Sequence, residues 1–352
     1  MINYYTKYNK YIEKYNNLIN NQGGGKPNNS HTYYIDINNN TKAVGDKSID
    51  FIVTRDLKNE LNKRKYIESL KFPVDFIFLS GEPAWYRNRF DTKKSKWINL
   101  LYGKSAIDIT NKITLHKKYE NTNFMIHADY IHENSSLSNI MSNLKDKFIK
   151  ILKPLGSYAG TGNQIVKNKK EIENWIENNQ KYKEWLLEDY IIDPDLKNGY
   201  KFHFRIPVLV KVSMKKINVY IYEKYFYRIA KKKYTKNNWL DKDIHDTHYT
   251  DYIGNDVLFP DEYPDKWNDK ETEDCIRKIQ NIIKTVFRNE KDIRPGWDGQ
   301  NGFDIYGVDI IFEKKQPYLL EINSRAGLIP NTIPSMLSVV LDNKENGFTK
   351  LI

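Results

Sequence analysis

Apolar and polar residues alternate most regularly near the C-terminus, in the stretch Gly302–Asn323. Two apolar runs, Ile305–Phe312 and Tyr318–Ile322, lie on either side of a short polar segment that contains Lys315. Apolar runs of this length around a polar turn are typical of a β-hairpin. The sequence therefore predicts two antiparallel strands that are joined near Lys315.

The second strand of this hairpin is predicted to have one polar face. Side chains point alternately to the two faces of a β-strand. This alternation places Leu319, Glu321 and Asn323 on one face of the strand, and it places Leu320 and Ile322 on the other.

A metal site is one interpretation of this polar face. Equal steps outward from the turn place Asp309 opposite Glu321, so that two carboxylates converge with the amide oxygen of Asn323. Buried carboxylates repel each other unless a cation or hydrogen-bond donors compensate. Oxygen ligands of this kind suit Mg²⁺ that is held jointly with phosphate oxygens. The alternative is a half-buried hairpin whose polar face is turned towards solvent.

The first 22 residues show a helical pattern followed by glycines. Apolar and aromatic residues recur at helical spacing, and Gly23–Gly25 and Pro27 follow them. This pattern predicts an amphipathic helix and a flexible linker, so residues 1–26 are interpreted as an appendage to the main body of the chain. A leader of this kind resembles those of many large-DNA-virus proteins, which predicts a viral source.

Residues 30–105 predict a small α/β lobe. The runs Tyr33–Ile37, Phe51–Val53 and Val74–Leu79 predict strands, because they are short, apolar and rich in β-branched or aromatic residues. A helical pattern at Leu57–Leu70 lies between the second and third runs. Strands that alternate with a helix are expected to form a sheet with the helix packed on one of its faces.

Residues 106–192 form a second predicted unit, which contains a glycine-rich loop. The run Phe148–Leu152 predicts a strand that leads through Lys153 into the loop Leu155–Gln164. Glycines let a backbone approach phosphate closely, and a lysine at the strand end adds a positive charge. The spacing matches neither a P-loop nor a dinucleotide fingerprint, so a plain surface turn is the alternative. The apolar run Trp185–Ile192 predicts a buried connector.

Residues 193–352 form the third predicted unit, which begins with a basic strand. In Lys201–Val212 the apolar residues alternate with cationic ones, which places three basic side chains on one face: Lys201, His203 and Arg205. Pro207 predicts that this strand is an edge strand or contains a bulge. Basic groups side by side favour a bound anion, and a basic solvent-facing surface is the alternative.

Two further elements complete this unit. The runs Ile217–Tyr222 and Tyr225–Ala230 predict a second hairpin, which carries Arg228. Apolar residues at helical spacing between positions 276 and 287 predict a helix that covers the hairpin near the C-terminus.

Composition narrows the possible partners and the compartment. The chain has 352 residues with a net charge of +11, which favours an acidic partner such as ATP, nucleic acid, an acidic protein tail or an anionic membrane. Cys275 is the only cysteine, which excludes an intramolecular disulfide and a cysteine-based metal cluster. No apolar run approaches membrane-spanning length and no signal-peptide core is present, so a soluble cytoplasmic protein is expected.

Six motifs follow one another along the chain. They are ILKP with its glycine loop (Ile151–Gly162), LLEDYI (Leu186–Ile191), KFHFR (Lys201–Arg205), YRIA (Tyr227–Ala230), THYTD (Thr247–Asp251) followed by LFPDEYPD, and GVDIIF…YLLEIN. Taken in this order, the motifs resemble those of the ATP-grasp ligases, and more narrowly those of the tubulin tyrosine ligase-like family of protein amino-acid ligases. The weaker LHKK stretch at Leu115–Lys118 extends the resemblance towards the N-terminus.

The resemblance implies an α/β (α+β) ATP-grasp fold that holds ATP and Mg²⁺ between two lobes. It assigns Mg²⁺ ligation to Asp309, Glu321 and Asn323, in agreement with the interpretation of the hairpin. It assigns the catalytic positions to Lys153, Arg205 and Arg228. The remaining nucleotide contacts that it implies are Lys118, Gly160, Gly162, Glu188, Asp189, Tyr190, Ile191 and Lys201, with Arg205 and Lys153 also touching the nucleotide.

Two residues depart from the family pattern. His203 stands where the family has Asp, and Asp251 stands where it has Asn. The resemblance places both near the substrate amino acid, together with Arg228 and Thr250. These departures bear on the identity of the amino acid more than on catalysis.

The expected function is that of an ATP-dependent carboxylate–amine ligase. It would form an amide bond through an acyl phosphate, joining a free amino acid to an acidic protein or peptide such as a tubulin-like tail; nucleic acid is disfavoured as a partner. Such chemistry needs charge neutralisation and positioning but no covalent nucleophile. The alternatives are an ATP-grasp ligase of small molecules or peptides and a non-catalytic basic binding module.

Overall fold

The computed structural model of this chain describes its residues in several stretches. They are residues 31–36, 49–69, 74–79, 96–145, 147–156, 161–213, 216–247, 258–259, 263–296, 301–324 and 332–352. The predicted N-terminal helix and linker, together with Gly160, Thr250 and Asp251, lie outside these residues.

The N-terminal lobe is a small parallel sheet with one helix. Its elements are β1 (Thr32–Asp36), α1 (Ile49–Lys63), β2 (Ile67–Glu68), β3 (Phe76–Leu79) and β4 (Trp97–Ile98). Strand β1 lies between β2 and β3, and β4 adds to β3. The first and third strands that the sequence predicts are therefore confirmed.

The prediction of a strand at Phe51–Val53 was wrong. These residues belong to α1, which ends at Lys63 and does not reach Leu70. A short apolar run cannot by itself distinguish a strand from a turn of a buried helix. Lys65 then adopts a left-handed backbone (φ 61°), which ends the helical segment before β2.

The central lobe is a four-stranded antiparallel sheet in the order β6–β9–β7–β8. Its bounds are β6 (Ala128–His132), β7 (Lys150–Pro154), β8 (Gln164–Val166) and β9 (Glu184–Asp189). Helices α4 (Glu133–Asn143) and α5 (Lys169–Glu177) cover it, and α2 (Lys104–Asp108) and α3 (Lys112–Tyr119) precede it. The predicted strand before Lys153 is confirmed, with Lys153 inside it, and the predicted connector includes β9.

A large sheet is built around the long strand β11 (Tyr200–Ser213). The other strands of this region are β10 (Leu196–Lys197), β12 (Lys216–Tyr222), β13 (Tyr225–Lys233), β14 (Leu258–Phe259), β16 (Asn301–Glu313), β17 (Gln316–Asn323) and β18 (Phe348–Lys350). A separate pair is formed by β5 (Leu101–Tyr102) and β15 (Arg294–Pro295). Because β4 also pairs with β16, the N-terminal strands extend this same sheet.

Strand β11 is an interior strand, so the prediction of an edge strand at Pro207 was wrong. The alternative, a bulge at Pro207, is not observed either, because the register irregularity of β11 lies between Tyr200 and Phe202. One side of β11 pairs with β16 from Phe204 to Ser213. On the other side, β13 pairs as far as Arg205 and β12 pairs from Val208 onwards. Pro207 lies at the break between these two partners, where an interior strand tolerates a proline.

The predicted hairpin between β12 and β13 is also wrong. Both strands run antiparallel to β11, one after the other along the same side. The chain therefore continues in one direction through Glu223 and Lys224. The hairpin partner of β12 is β11, and β13 still places Arg228 beside His203.

The predicted C-terminal hairpin, β16–β17, is confirmed. Its turn consists of Lys314 and Lys315, with φ values of 52° and 63°, as a two-residue type I′ turn requires. The backbone nitrogen of Lys315 donates to Asp195, and its ammonium group pairs with Glu271. External partners thus hold a turn that contains no glycine.

The two faces of the large sheet have different covers. Helix α7 (Asp269–Arg288) begins with a capping box at Asn268 and Glu271 and packs against one face, as the sequence predicts. The residues of β11 on that side have even numbers, such as Phe204 and Val208. Helices α1 and α8 (Ile333–Asp342) cover the end of the other face around Leu209. Among the described residues, no helix is both long and apolar enough to cross a membrane.

Backbone contacts connect both ends of the four-stranded sheet to the C-terminal hairpin. Met125, just before β6, forms a bridge with Leu319, whose nitrogen donates to the carbonyl of Phe124 at 2.8 Å. After β9, the backbone nitrogen of Asp195 donates to the carbonyl of Phe312 at 2.8 Å. A neighbouring bridge joins Pro194 to Glu313. The chain therefore enters and leaves the central lobe along the same hairpin.

Lys211 joins β11 to the C-terminal end of α8. Its ammonium group donates to the carbonyl of Val339 at 2.8 Å and to Oδ1 of Asn343 at 2.6 Å, and it lies 4.7 Å from the centre of the Trp97 ring. Burial lowers the pKa of Lys211 to about 8. The charged form therefore carries a desolvation cost in the folded protein that is absent in the unfolded chain.

We expect Lys211 to make stability depend on pH between about 8 and 10.5. In that window the unfolded chain binds more protons than the folded protein, so the free energy of unfolding rises with pH, here by roughly 1–2 kcal/mol after allowance for solvent screening. Denaturant unfolding across this range should show the rise in the wild type and a flatter curve in Lys211→Met. Parallel curves would contradict the assignment.

Candidate functional site

A cleft of about 540 Å³ opens between the four-stranded sheet and the large sheet. Strands β7 and β9 line one side of it, and β11, β13, β16 and β17 line the other. The first residues of α3 and the segment after β13 complete its walls. The cleft therefore collects side chains from both lobes.

The floor of the cleft carries a row of charged residues on adjacent strands. Arg205 on β11 lies opposite Asp309 on β16, which lies opposite Glu321 on β17. The guanidinium group of Arg205 donates to both carboxylate oxygens of Asp309, with Nη2 at 2.8 Å from Oδ2. At the other end, Nζ of Lys112 lies 3.0 Å from Glu321. The row thus has a cation at each end and two carboxylates between them.

The hairpin differs from the prediction in one detail, a β-bulge on β17. Asp309 pairs with Glu321 as predicted, but the next pair is Ile310 with Leu319, so Leu320 is an extra residue on β17. The bulge places Leu320 on the cleft side with Glu321 and turns Leu319 into the core below α7. The prediction that Leu319 shares the face of Glu321 was therefore wrong, because simple alternation does not survive an inserted residue.

Asp309, Glu321 and Asn323 meet closely enough to share one cation. Nδ2 of Asn323 lies 2.9 Å from Oε1 of Glu321 and 3.5 Å from Oδ2 of Asp309. Burial and the Asp309 charge oppose ionisation of Glu321, but Lys112 and Asn323 hold its pKa below the ordinary value. Turning the Asn323 amide would present its oxygen beside the two carboxyl groups, a donor set that fits a hard divalent cation. The described residues contain no cluster of three His, Cys, Asp or Glu side chains that could hold a metal.

The opposite wall of the cleft holds a second buried ion pair. The ammonium group of Lys153 pairs with Oε1 of Glu188, and Nε2 of His116 lies 3.2 Å from Oε2 of the same carboxylate. Burial opposes ionisation of Glu188, but Lys153 and His116 outweigh it and lower the pKa of this carboxyl to about 2. Glu188 is therefore a carboxylate that holds Lys153 at the wall of the cleft.

The connector after β9 forms an apolar slot with a lysine at its edge. The ammonium group of Lys201 donates to the hydroxyl of Tyr190 at 2.7 Å. Burial, reinforced by the charge of Lys153, lowers the pKa of Lys201 to about 7. Asp189, also beside the slot, pairs with Lys150 at 2.6 Å. The apolar lining of the slot consists of Ile126, Ile151, Leu186, Ile191, Ile311 and Leu320.

His203 and Arg228 lie side by side next to the charged row. They are paired residues on β11 and β13, and both line the cleft. Nδ1 of His203 lies 2.6 Å from Oγ1 of Thr247, and Nε2 lies 3.6 Å from Asp309. His203 thus bridges the segment that leads to Asp251 and the acidic centre of the floor.

Most of the predicted site residues line this one cleft. They are Lys153, Glu188, Asp189, Tyr190, Ile191, Lys201, His203, Arg205, Arg228, Asp309, Glu321 and Asn323. Gly162 does not line it: its φ of 81° places it in a turn packed against Pro154 and Tyr182. Gly160, Thr250 and Asp251 lie outside the described residues.

The predicted ATP contact of Lys118 needs correction. Lys118 pairs with Glu290 at the end of α7 and does not line the cleft. Lys112, on the same helix, reaches Glu321 instead. Six helical residues correspond to about 600° of rotation, so the two lysines project in different directions. Helical periodicity from Asn111, which caps α3, could have separated the two lysines in the sequence.

Comparison with known proteins identifies relatives of this chain. The family model described as "Tubulin-tyrosine ligase family" matches residues 107–336. Tubulin glycylase 3B from Drosophila melanogaster is 26% identical over 206 residues, which cover 52% of this chain and 26% of the relative. Tubulin polyglutamylase TTLL7 from Homo sapiens is 24% identical over 225 residues, covering 56% and 24% respectively. The chain thus spans about a quarter of the length of these curated relatives.

A solved structure shares the fold. The C-terminal domain of K. lactis Pby1, described as an ATP-grasp enzyme that interacts with the mRNA decapping enzyme Dcp2, aligns with a TM-score of 0.59. The alignment covers 92% of this chain and 99% of that domain at 14% sequence identity. At this identity the likeness concerns the fold, which is an ATP-grasp fold of mixed α/β type.

We expect that removing Asp309 alone will destabilise the protein much more than removing Arg205 and Asp309 together. Asp309→Leu should lower the free energy of unfolding by about 3–5 kcal/mol, because it leaves a buried guanidinium group without its carboxylate. The double variant Arg205→Met/Asp309→Leu should recover most of this loss in denaturant unfolding. Lys232→Met, which breaks an exposed pair with Asp241, serves as the control and should change little. A double variant as unstable as the single one would contradict the pairing.

Proposed function

Since this chain belongs to the tubulin-tyrosine ligase family, we propose that it is an ATP-dependent ligase that joins an amino acid to a carboxylate of an acidic protein or peptide. The observation that carries this proposal is the charged floor of the cleft, where Arg205, Asp309 and Glu321 lie in one row across three strands. An incidental polar surface would not need a buried carboxylate and a half-buried one on neighbouring strands, each with its own cation.

The proposed reaction requires activation of a carboxylate. A carboxylate and an amine do not condense in neutral water, because the oxygen that must leave is a poor leaving group. Transfer of the γ-phosphoryl group of ATP to the carboxylate breaks the bond between the β,γ-bridging oxygen and phosphorus and releases ADP. The amine then attacks the acyl carbon, loses a proton, and displaces inorganic phosphate. Both steps depend on positioning and on neutralisation of charge.

The residues of the cleft divide these tasks. Asp309, Glu321 and Asn323 would hold Mg²⁺, which on binding neutralises phosphate charge. The apolar slot beside Ile191 would take the adenine ring, and Lys153 and Lys201 would contact the phosphates. Lysine suits that role because its ammonium group is a compact charge.

Arg205 and Arg228 are the proposed guanidinium groups for the transferred phosphoryl group and the acceptor carboxylate. Both line the cleft near the carboxylate row. A guanidinium group can donate two parallel hydrogen bonds to a carboxylate or phosphate, which fixes orientation as well as charge. His203, beside them, would contact the incoming amino acid. Its imidazole replaces the carboxylate that the family pattern has at this position, so we propose that it changes which amino acid is accepted.

The acceptor is proposed to be an acidic chain such as a tubulin-like tail. The net charge of +11 favours such a partner electrostatically. The relatives named above are a tubulin glycylase and a tubulin polyglutamylase, which modify a protein rather than a small molecule. The free amino acid would supply the amine.

We expect Glu321→Gln to abolish ligation while leaving the fold intact, because it removes one ligand charge where phosphate charge must be neutralised. The measurement is intact-mass analysis of acidic proteins and peptides after incubation with Mg²⁺, ATP and a mixture of amino acids. The wild type should add the residue mass of one amino acid or more. Glu313→Gln, at the other end of the hairpin, is the matched control and should remain active. Normal turnover by Glu321→Gln would refute the metal assignment.

A second experiment concerns nucleotide binding alone. Lys153→Met by itself would leave Glu188 buried without its main partner, so the informative variant is Lys153→Met/Glu188→Gln, which removes both charges. ATP at about 100 times its Kd stabilises a protein by roughly 2.7 kcal/mol, and the double variant should lose most of this thermal shift.

The matched control replaces the ion pair outside the cleft. Lys118→Met/Glu290→Gln also removes one lysine and one glutamate charge, but it should retain the full ATP-dependent shift. If this control loses the shift and the Lys153 variant retains it, the placement of the nucleotide is wrong.

A further inference from the structure

An aromatic cluster at one end of the cleft surrounds His245. This residue ends the short helix α6 (Lys242–His245), and its ring stacks on Trp239 with an angle of 12° between the planes. The rings of Tyr190 and Tyr234 meet it edge-on. His245 is therefore fixed in orientation by contacts on several sides. It is not among the residues proposed above to contact phosphate or Mg²⁺.

Hydrogen bonds connect His245 to Lys201 through one tyrosine. Nε2 of His245 lies 2.9 Å from the backbone carbonyl of Asn238, and Nδ1 lies 2.8 Å from the hydroxyl of Tyr190. The same hydroxyl lies 2.7 Å from Nζ of Lys201. Four groups thus form one continuous chain from a backbone carbonyl to a lysine in the cleft.

The direction of every hydrogen bond in this chain follows from its first member. A carbonyl can only accept, so Nε2 of His245 carries the proton and Nδ1 is the acceptor in the neutral ring. Tyr190 has a single hydroxyl proton, which it donates to Nδ1. Its oxygen then accepts from Lys201. This direction leaves the hydroxyl oxygen as an acceptor for an ammonium group.

We propose that His245 is a positioning residue that acts through the Tyr190 hydroxyl to hold the Lys201 ammonium group in the cleft. The role of that ammonium group as a phosphate contact rests on the proposed function above. Without His245, the Tyr190 proton would be free to turn towards Lys201 and to favour the neutral amine.

The protonation states in the structure are consistent with this arrangement. Burial, reinforced by the charge of Lys201, lowers the pKa of His245 to about 4, although the Asn238 carbonyl and Asp241 oppose the shift. His245 is therefore neutral at physiological pH and can accept from Tyr190. The charged groups that act on Lys201 from the surrounding elements are Lys153, Glu188 and Asp246, and none of them replaces the hydroxyl contact.

The lysine is placed where a small change in its protonation matters. Burial lowers the pKa of Lys201 to about 7, so the charged and neutral forms are both populated near neutral pH. Its ammonium group also lies 4.1 Å from the centre of the Tyr190 ring, a cation–π contact that does not need the hydroxyl. The ring and the hydroxyl of Tyr190 can therefore be tested separately.

The variants separate positioning from packing. His245→Phe keeps an aromatic ring for stacking but removes the acceptor, whereas His245→Asn offers an amide oxygen near the position of Nδ1. Tyr190→Phe keeps the cation–π contact and removes only the hydroxyl. His132→Phe, on β6 outside the cleft, is the control for a general effect of losing a histidine.

The first measurement is the pH titration of the Lys201 ¹³Cε resonance, which is assigned by its absence in Lys201→Arg. His245→Phe should move the midpoint to lower pH, and His245→Asn should restore most of it. In the Tyr190→Phe background, His245→Phe should have no further effect. A midpoint that stays unchanged in His245→Phe, or a shift that persists in the Tyr190→Phe background, would overturn the proposal.

The second measurement is calorimetric binding of ATP with Mg²⁺. His245→Phe and Tyr190→Phe should each raise Kd roughly tenfold, as expected for loss of one hydrogen bond to a charged group, and the double variant should be no weaker than either. Multiplying effects would contradict action through the hydroxyl. A wild type that binds no ATP would refute the proposed function, whereas the Lys201 titration would still decide the role of His245.

Discussion

Repulsion between two carboxylates on adjacent strands is the constraint on which the cleft depends. The ladder of β16 and β17 brings Asp309 and Glu321 side by side, and the burial of Asp309 with the partial burial of Glu321 makes the repulsion costly. Arg205 from β11 and Lys112 from α3 compensate one carboxylate each. The large sheet and the helix packed against its core thus balance the charge of this row even before a substrate enters. A divalent cation that binds the two carboxylates would replace Arg205 and Lys112 as their partners, and these two side chains could then pair with phosphate.

Strand β11 shows how one segment serves both the core and the site. Its even-numbered residues, such as Phe204, pack below α7 along the whole strand. Its odd-numbered residues change environment at Pro207: Arg205 before it lines the cleft, whereas Leu209 after it packs below α8. The break in strand pairing at the proline coincides with this change. The odd-numbered residues of β11 therefore belong to two different surfaces, the cleft before Pro207 and the core below α8 after it.

The sequence was informative where local rules decide the structure. The sequence predicts a turn near Lys315, and equal steps from that residue pair Asp309 with Glu321, as observed. The turn residues are Lys314 and Lys315, however, so the turn alone would pair Asp309 with Leu320, and the inserted residue brings Glu321 into that place. The bulge at Leu320 could not be predicted, because an inserted residue leaves no mark in the apolar pattern. Lys118 shows a different limit, since motif matching along the chain ignores the direction in which a helix projects each side chain. Strands β12 and β13 follow one another along β11, an arrangement that their own residues do not reveal.

The attachment of the central lobe at both of its ends has a mechanical consequence. The chain enters beside Leu319 and leaves beside Phe312, and both residues belong to the hairpin that carries the carboxylates. Since the N-terminal strands continue the large sheet through β4, that sheet acts as a fixed base. Opening and closing of the cleft would then be a swing of the four-stranded sheet about an axis through these two crossing points. The acidic centre belongs to the hairpin that carries both crossing points, whereas Lys153 belongs to β7 of the swinging sheet, so such a swing would change the distance between this lysine and the carboxylates.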